Sequence, residues 1–393
     1  TWNPIPDLDF DHFEIRSNNT NWGVDDSDQI SKTVDSQALL DPITAGSRTF
    51  YVKAWDTTGN ESDNSASTTI TVSAPNAPSA LSASTVNRLD GNANSYGIAL
   101  DWIDNPKDFP IGHVEVRNAD TGWGSSDSAL LDVVSGNRSD FSVVTAGTHT
   151  FYLRAFDVAG NQSSTATESI TIQGPGKPIN TSVSTVNTLD NSSSSYGVKV
   201  SWENVSNDFP VGFSEVRSTD QDWGADSSNL LGRVSGNSAS FPVTSDKSYS
   251  FFIRTFDVAG NQSPTATESI SINGPNAPTN IVVDTTNRVD GNAKSYGVSL
   301  NWQNNPTNFP VDSVEIRTSD SEWGKDTNSL VGVEKGNRAG LPIVSAGTRT
   351  LYMRSFDVAG NDSPTSSFTV SISGPPATPT NGRFDGPEFV LSW

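Results

Sequence analysis

The stretch THTFYLRAFDVAGNQS at 148–163 decides the reading of this chain. Apolar and polar residues alternate through its first half. Phe151, Leu153 and Ala155 therefore point one way and Tyr152, Arg154 and Phe156 the other, the period of a β-strand with one face on a core. A Gly/Asn turn at 158–161 follows. The segment FDVAGNQS at 156–163 returns at 256–263, as FDVAGNDS at 356–363, and more loosely as WDTTGNES at 55–62.

Working outward, the same interval governs the rest of the chain. Trp2, Trp102, Trp202 and Trp302 recur every 100 residues, and Glu-x-Arg recurs at 14–16, 115–117, 215–217 and 315–317. Trp-Gly pairs begin at 22, 123, 223 and 323. Pro-containing junctions at 74–78, 174–178, 274–278 and 374–379 separate the copies. The division is full modules at 75–174, 175–274 and 275–374, a copy lacking its first part at 1–74, and the start of a further copy at 375–393. The chain opens on Thr1, its only Met is Met353, and it starts and stops at one repeat phase, so a window onto a longer array is expected.

Within a module IALDW (98–102) and HVEVR (113–117) also alternate, and no window sustains apolar residues at helical spacing. Short alternating strands between turn clusters, in about 100 residues, specify an all-β chain of tandem antiparallel sandwiches. Trp2, Trp102, Trp202 and Trp302 are the expected core, with Phe151, Leu153, Phe251 and Ile253 against them.

Composition narrows function. The 393 residues carry a net charge of −21, which disfavours nucleic acid as a partner. No apolar run is long enough for a membrane span. With Cys 0 there are no disulfides, thiolate metal sites or Cys nucleophiles. No Gly-x-Ser-x-Gly elbow, phosphate loop or His-Glu-x-x-His occurs, and a non-enzymatic chain is expected.

The order of a Pro-rich start, a strand ending Leu100-x-Trp102, the VEVR strand at 114–117, and FYLRAFDVAGNQS after Ala-Gly-Thr at 146–148 resembles the fibronectin type III module. That family's late-strand Tyr, six residues before Ala155, is present once, as Tyr249; His149, Arg349 and Arg48 stand there in the other copies. The wording FDHFEIR (10–16) followed by NWG (21–23) is similar to modules of bacteriophage tail-tip and tail-fibre proteins. That resemblance implies a virion structural protein, a homotrimer with other tail proteins as partners, and a host receptor or glycan engaged outside this segment. A bacterial surface adhesin or secreted spacer, and an array of carbohydrate-binding modules, are the alternatives.

Each candidate site has a structural reading beside a functional one. Asp56/Gly59/Asn60, Asp157/Gly160/Asn161, Asp257/Gly260/Asn261 and Asp357/Gly360/Asn361 read as repeated turns, with Asp accepting amides and Gly and Asn tolerating positive φ. Asn161-Gln-Ser163 also matches a glycosylation sequon. Glu115, Arg117 and Arg154 are expected to face outward as a cross-strand ladder or an interaction face, with Trp123, Trp223 and Trp323 as neighbours that cover a sheet edge or stack on a sugar. Asp7, Asp9, Asp11 and Asp90 are weak calcium candidates, and no other cofactor is expected. His12, His113 and His149 lack Cys or His partners at zinc spacing.

Overall fold

Alternating strands need a second apolar surface to bury against, and each repeat supplies it. The structure, a computed structural model, describes residues 1–393 except 42, 90–94, 190–194, 290–294, 376, 378–382, 386–389 and 393. The first repeat comprises β1 (Phe10–Arg16), β2 (Gln29–Thr33), β3 (Gly46–Asp56) and β4 (Ala66–Val72), one sheet of order β2-β1-β3-β4. Seven strands follow: β5 (Asn76–Val86), β6 (Gly97–Asn105), β7 (Ile111–Arg117), β8 (Leu130–Val134), β9 (Arg138–Phe141), β10 (Gly147–Asp157) and β11 (Ala166–Ile172). They form a three-stranded sheet β5-β6-β9 and a four-stranded sheet β11-β10-β7-β8. Every pairing among them is antiparallel.

The same seven strands recur as β12 (Gly176–Val186), β13 (Gly197–Val205), β14 (Val211–Arg217), β15 (Leu230–Val234), β16 (Ser238–Phe241), β17 (Lys247–Asp257) and β18 (Ala266–Ile272). They recur again as β19 (Asn276–Thr286), β20 (Gly297–Asn305), β21 (Val311–Arg317), β22 (Leu330–Glu334), β23 (Arg338–Leu341), β24 (Gly347–Asp357) and β25 (Ser366–Ile372). A last antiparallel pair joins β26 (Arg383–Asp385) to β27 (Val390–Ser392). Among the described residues no helix is long and apolar enough to cross a membrane.

The strands gather into two compact units. One is Thr1–Gly174 with Asn207–Pro210 and Ala259–Asn261; the other is Pro175–Ser206, Val211–Val258 and Gln262–Trp393. In the first, Ile98, Leu100 and Trp102 of β6 meet Val114 and Val116 of β7 and Phe151, Leu153 and Ala155 of β10, all buried between the sheets. In the second, Val198, Val200 and Trp202 meet Val216, Phe251 and Ile253, and Val298, Leu300 and Trp302 meet Ile316, Leu351 and Met353. Pairing within the three-stranded sheet is tight at Gly97, where a Cβ would sit 2.0 Å from the Phe141 carbonyl oxygen. Only glycine lets β6 and β9 approach so closely.

At the late-strand Tyr position, the three copies that lack tyrosine reach back to the chain upstream. His149 Nε2 lies 2.8 Å from the Thr145 carbonyl and so donates to it, and Arg349 donates to the Ser345 carbonyl at 3.0 Å. Arg48 likewise reaches the Thr44 hydroxyl. In each of these copies a long polar side chain returns to the residue four positions upstream.

Candidate functional site

Two side-chain constellations recur, one on the outer face of each four-stranded sheet and one where each module meets the next.

The first corrects an expectation. Glu115 and Arg117 do not face outward: their exposure is 5% and 0%. Alternation does send them away from the core, since Val114 and Val116 take the inner face. The connection between β7 and β8, carrying Trp123, folds back over them and closes a second, polar interior. Arg117 donates from Nε to Glu115 at 3.0 Å, from Nη1 to Asp127 at 2.8 Å and the Thr121 carbonyl at 3.2 Å, and from Nη2 to the Ser125 carbonyl. The Gly124 amide donates to Glu115 at 3.1 Å. A buried guanidinium costs several kcal/mol unless its donors are matched, and here four of the five N–H groups are.

Trp123 lies over this arrangement. Its ring centroid is 5.3 Å from the Arg117 guanidinium carbon and 4.8 Å from that of Arg154, and its Nε1 donates to Asp120 at 2.9 Å. Arg154 donates to Thr165, and Thr165 to Asp120, each at 2.8 Å. The Trp123 and Thr165 hydrogen bonds, then the Arg154 charge, hold the Asp120 carboxyl below the usual carboxylate range. A half-buried indole claimed by two guanidinium groups offers a sugar little of its surface.

The other modules keep the design and vary its partners. Arg217 bonds Glu215, Ser227 and Asn229, and Arg233 adds a bond to Glu215 at 2.6 Å. Burial pushes Glu215 up, but bonds from Arg233, the Gly224 amide and Arg217 outweigh it and leave its pKa lowered. Arg317 bonds Glu315, Thr327 and Ser329, all within 3.0 Å. Trp223 and Trp323 again lie near paired guanidinium groups.

The second constellation starts from the turns. Asp157 accepts the Ala159 and Asn161 amides. Asp56 accepts those of Thr58 and Asn60, and Asp357 those of Ala359 and Asn361. The expectation that Gly and Asn share the positive φ is corrected. Gly59, Gly160, Gly260 and Gly360 alone take it, at 85°, 83°, 87° and 86°. All four are exposed, with open space where a Cβ would stand, so the backbone angle and not packing calls for glycine there. These glycines make the turn and nothing more.

Asn60, Asn161, Asn261 and Asn361 stay out of the left-handed region, and the side chain is what the turn presents. While Asn161 Nδ2 bonds Asp157, its Oδ1 accepts the Ala45 amide at 2.5 Å, and Nδ2 also reaches the Ile43 carbonyl at 3.4 Å. A buried amide so engaged leaves the sequon no free nitrogen for a glycan. Asn261 makes the same pair with the Ala146 amide (2.7 Å) and Val144 carbonyl (2.8 Å). Asn361 does so with the Asp246 amide (3.0 Å) and Thr244 carbonyl (2.9 Å).

A third group at this junction was not anticipated from the sequence. Phe209, in the loop before β14, is 1% exposed and sits in the core of the 75–174 module, edge-on to Tyr96 at 5.8 Å. Phe309 enters the core of the 175–274 module, edge-on to Tyr196 at 6.0 Å. The residue before each binds the preceding linker: Asp208 accepts the Gln173 amide and Asn308 the Asn273 amide. Asp108 does so with Ser73. The signal was present as Asp-Phe-Pro at 108–110 and 208–210 and Asn-Phe-Pro at 308–310.

The remaining candidates are more ordinary. Asp7, Asp9 and Asp11 are exposed, and among the described residues no three His, Asp or Glu side chains converge on a metal position. Asp90 lies outside the described residues. His12 and His113 turn out to be equivalent, stacked on Trp55 and Phe156 of the neighbouring strand at 5.9 and 4.8 Å, where Phe213 meets Phe256 at 4.7 Å. A one-residue difference in the lead-in to β1 hides that correspondence in the sequence.

No model of a known protein family matches the chain, and no curated protein matches it. Among solved structures, a tetra-tandem repeat from the extending region of a large adhesion protein aligns over 94% of this chain and 93% of its own, at 16% identity and a TM-score of 0.32. The FN1–FN3 domains of chicken contactin align over 76% of this chain and 100% of their own, at 12% identity and a TM-score of 0.21. By its own strand pairing the chain is all-β, with antiparallel sandwiches in tandem.

Proposed function

We propose that the chain is a non-enzymatic structural spacer, a segment of a bacteriophage tail tip or central fibre that carries other domains toward the host. The observation that carries the spacer reading is the junction. The 75–174 and 175–274 modules each complete their core with an aromatic residue from the next, Phe209 or Phe309, and accept that module's turn asparagine on their backbone. Within the second unit this ties the 175–274 module to the 275–374 module, as suits a spacer more than a flexible tether. The recurring buried clusters are satisfied internally, with Glu115 and Arg117 locked and Trp123 engaged, and so serve folding rather than turnover.

The tail setting rests on the FDHFEIR and NWG wording, on Cys 0 and on the −21 charge, which suits a soluble particle assembled in a reducing cytoplasm. In that setting the chain works as a homotrimer. With Glu115 and Arg117 buried, subunit contacts fall on surfaces other than that network. Antibody raised against residues 175–274 should decorate phage tails in electron micrographs. Decoration of a bacterial cell wall instead would keep the spacer and move it to a surface adhesin.

A further inference from the structure

The outer face of the three-stranded sheet changes its charge from module to module. In the 75–174 module Arg138 stands between two carboxylates, Asp101 at 3.2 Å and Asp140 at 3.0 Å. Its equivalent in the 275–374 module is Arg338, but Asn301 replaces Asp101 and Gly340 replaces Asp140. A Cβ at 340 would stand 2.2 Å from the Val289 carbonyl oxygen, so this backbone has no room for the aspartate. Arg288 and Arg338 line one cavity of about 330 Å³, together with Thr286 and Ser299. Both arginines are exposed, and among the described residues neither side chain has a hydrogen-bonding or ionic partner. Asp284, opposite Ser299 on β19, is the one carboxylate that the strand pairing brings to this face. The 175–274 module has a cavity of about 770 Å³ at the same strand positions, with Thr188, Lys199 and Ser238 on its wall. All its lining residues lie within 186–242, although the next module is in place, so a successor does not cover this face.

We propose that the Arg288/Arg338 cavity is an oxyanion site that takes a phosphate group. A guanidinium with no carboxylate of its own can offer paired N–H donors to phosphate oxygens, and here two of them share one cavity. The Thr286 and Ser299 hydroxyls on its wall supply further donors. At about 0.15 M salt the chain's net charge of −21 is largely screened beyond about 8 Å. The two arginines therefore set the local field, with Asp284 opposing them. This site goes beyond the spacer reading, which rests on the joints between modules and stands whether or not an anion binds here.

The test is a titration of the full chain with inorganic phosphate at constant ionic strength, with sodium chloride as the reference, followed by the amide resonances of Ser299 and Gly340. Phosphate should move those resonances to saturation, and chloride should not. Arg338→Gln or Arg288→Gln should weaken binding about tenfold or more. Asn301→Asp keeps both arginines but restores the carboxylate that Arg138 has, and should weaken binding about as much. All three positions are exposed, so these variants retain the fold, as circular dichroism checks. A glycerol phosphate polymer titrated in parallel identifies the source of the group. Tighter binding per phosphate than the free ion points to a surface polymer, and equal binding to the free ion. Shifts that chloride reproduces overturn the proposal. So does phosphate binding that Arg338→Gln and Asn301→Asp leave unchanged.

Discussion

The first repeat and the module that follows it build the same outer face on different foundations. In the 75–174 module a three-stranded sheet covers the core side of β7 and β10. Among the described residues of 1–74 only the four-stranded sheet is present, yet Arg16 is as buried as Arg117, bonds Glu14 and Asp26 in the same way, and has the Gly23 amide on Glu14 at 3.0 Å. The polar cluster therefore belongs to one sheet and its folded-back connection. The core side differs. Trp102 Nε1 donates to Asp104 at 3.0 Å, whereas Trp2 Nε1 is buried with no partner, Pro4 standing in the place of Asp104. One face is self-sufficient, and the other needs the sandwich.

Substitutions can break or sharpen that contrast. Trp202→Ala should cost its module about 3–5 kcal/mol, while Trp2→Ala, at a half-buried position without a second sheet, should cost clearly less. Urea unfolding followed by module-resolved hydrogen exchange measures both. Equal costs would show that the first repeat closes a core of its own. Arg117→Met and Arg16→Met should each cost about 3–5 kcal/mol, because each strands a buried glutamate; a much smaller loss at Arg16 would end the idea of a self-sufficient face.

Phe309→Ala should cost about 3 kcal/mol, read out in the exchange of Val198 and Val200 of the preceding module before that of β21. The same change at half-buried Phe109, whose upstream repeat lacks the second sheet, should cost less. If β21 loosens first, the joint is not where that energy resides. Trp102→Phe should cost about 1–2 kcal/mol by removing the donor of Asp104; Trp2→Phe should be near neutral, since the lost donor was unpaired.

The smallest effect concerns acid. Hydrogen bonds from Trp123 and Thr165 lower the pKa of Asp120, so its stabilisation is present above its unfolded value of about 4 and is lost as pH falls through the lower folded value. The first repeat has the uncharged Asn19 there, accepting from Trp22 at 3.1 Å. Asp120→Asn should therefore flatten the acid limb of the 75–174 unfolding curve below about pH 4. An unchanged limb would show that the titration lies elsewhere.

The strands and the tryptophan positions were legible because they rest on a period of two and a repeat of 100, both local properties of the sequence. The all-β tandem sandwich follows from them. Alternation also assigned Glu115 and Arg117 to the outer face correctly, but equated that face with solvent. The residues that bury them, Trp123 and Gly124, return from a connection whose path no strand periodicity encodes. Phe209 was hidden for a related reason. Asp-Phe-Pro reads as a turn, and the cavity it fills belongs to residues near Tyr96, more than 100 positions upstream. The asparagine turns were read as self-contained, because a residue that satisfies its own loop gives no hint that its remaining acceptor serves another module.

The borrowed phenylalanine also sets an order of events during synthesis. A ribosome delivers the chain from its amino end, so the 75–174 module emerges with a vacancy beside Tyr96. The loop that fills it lies 35 residues beyond the linker position it binds, the Gln173-to-Asp208 interval. At about 5–20 residues per second, that gap lasts roughly 2–7 seconds. The Asn261 bond to Ala146 closes only after nearly all of the next module has been made. Each nascent module thus waits, briefly unfinished, for its successor to seal it, and the array matures one step behind its own translation.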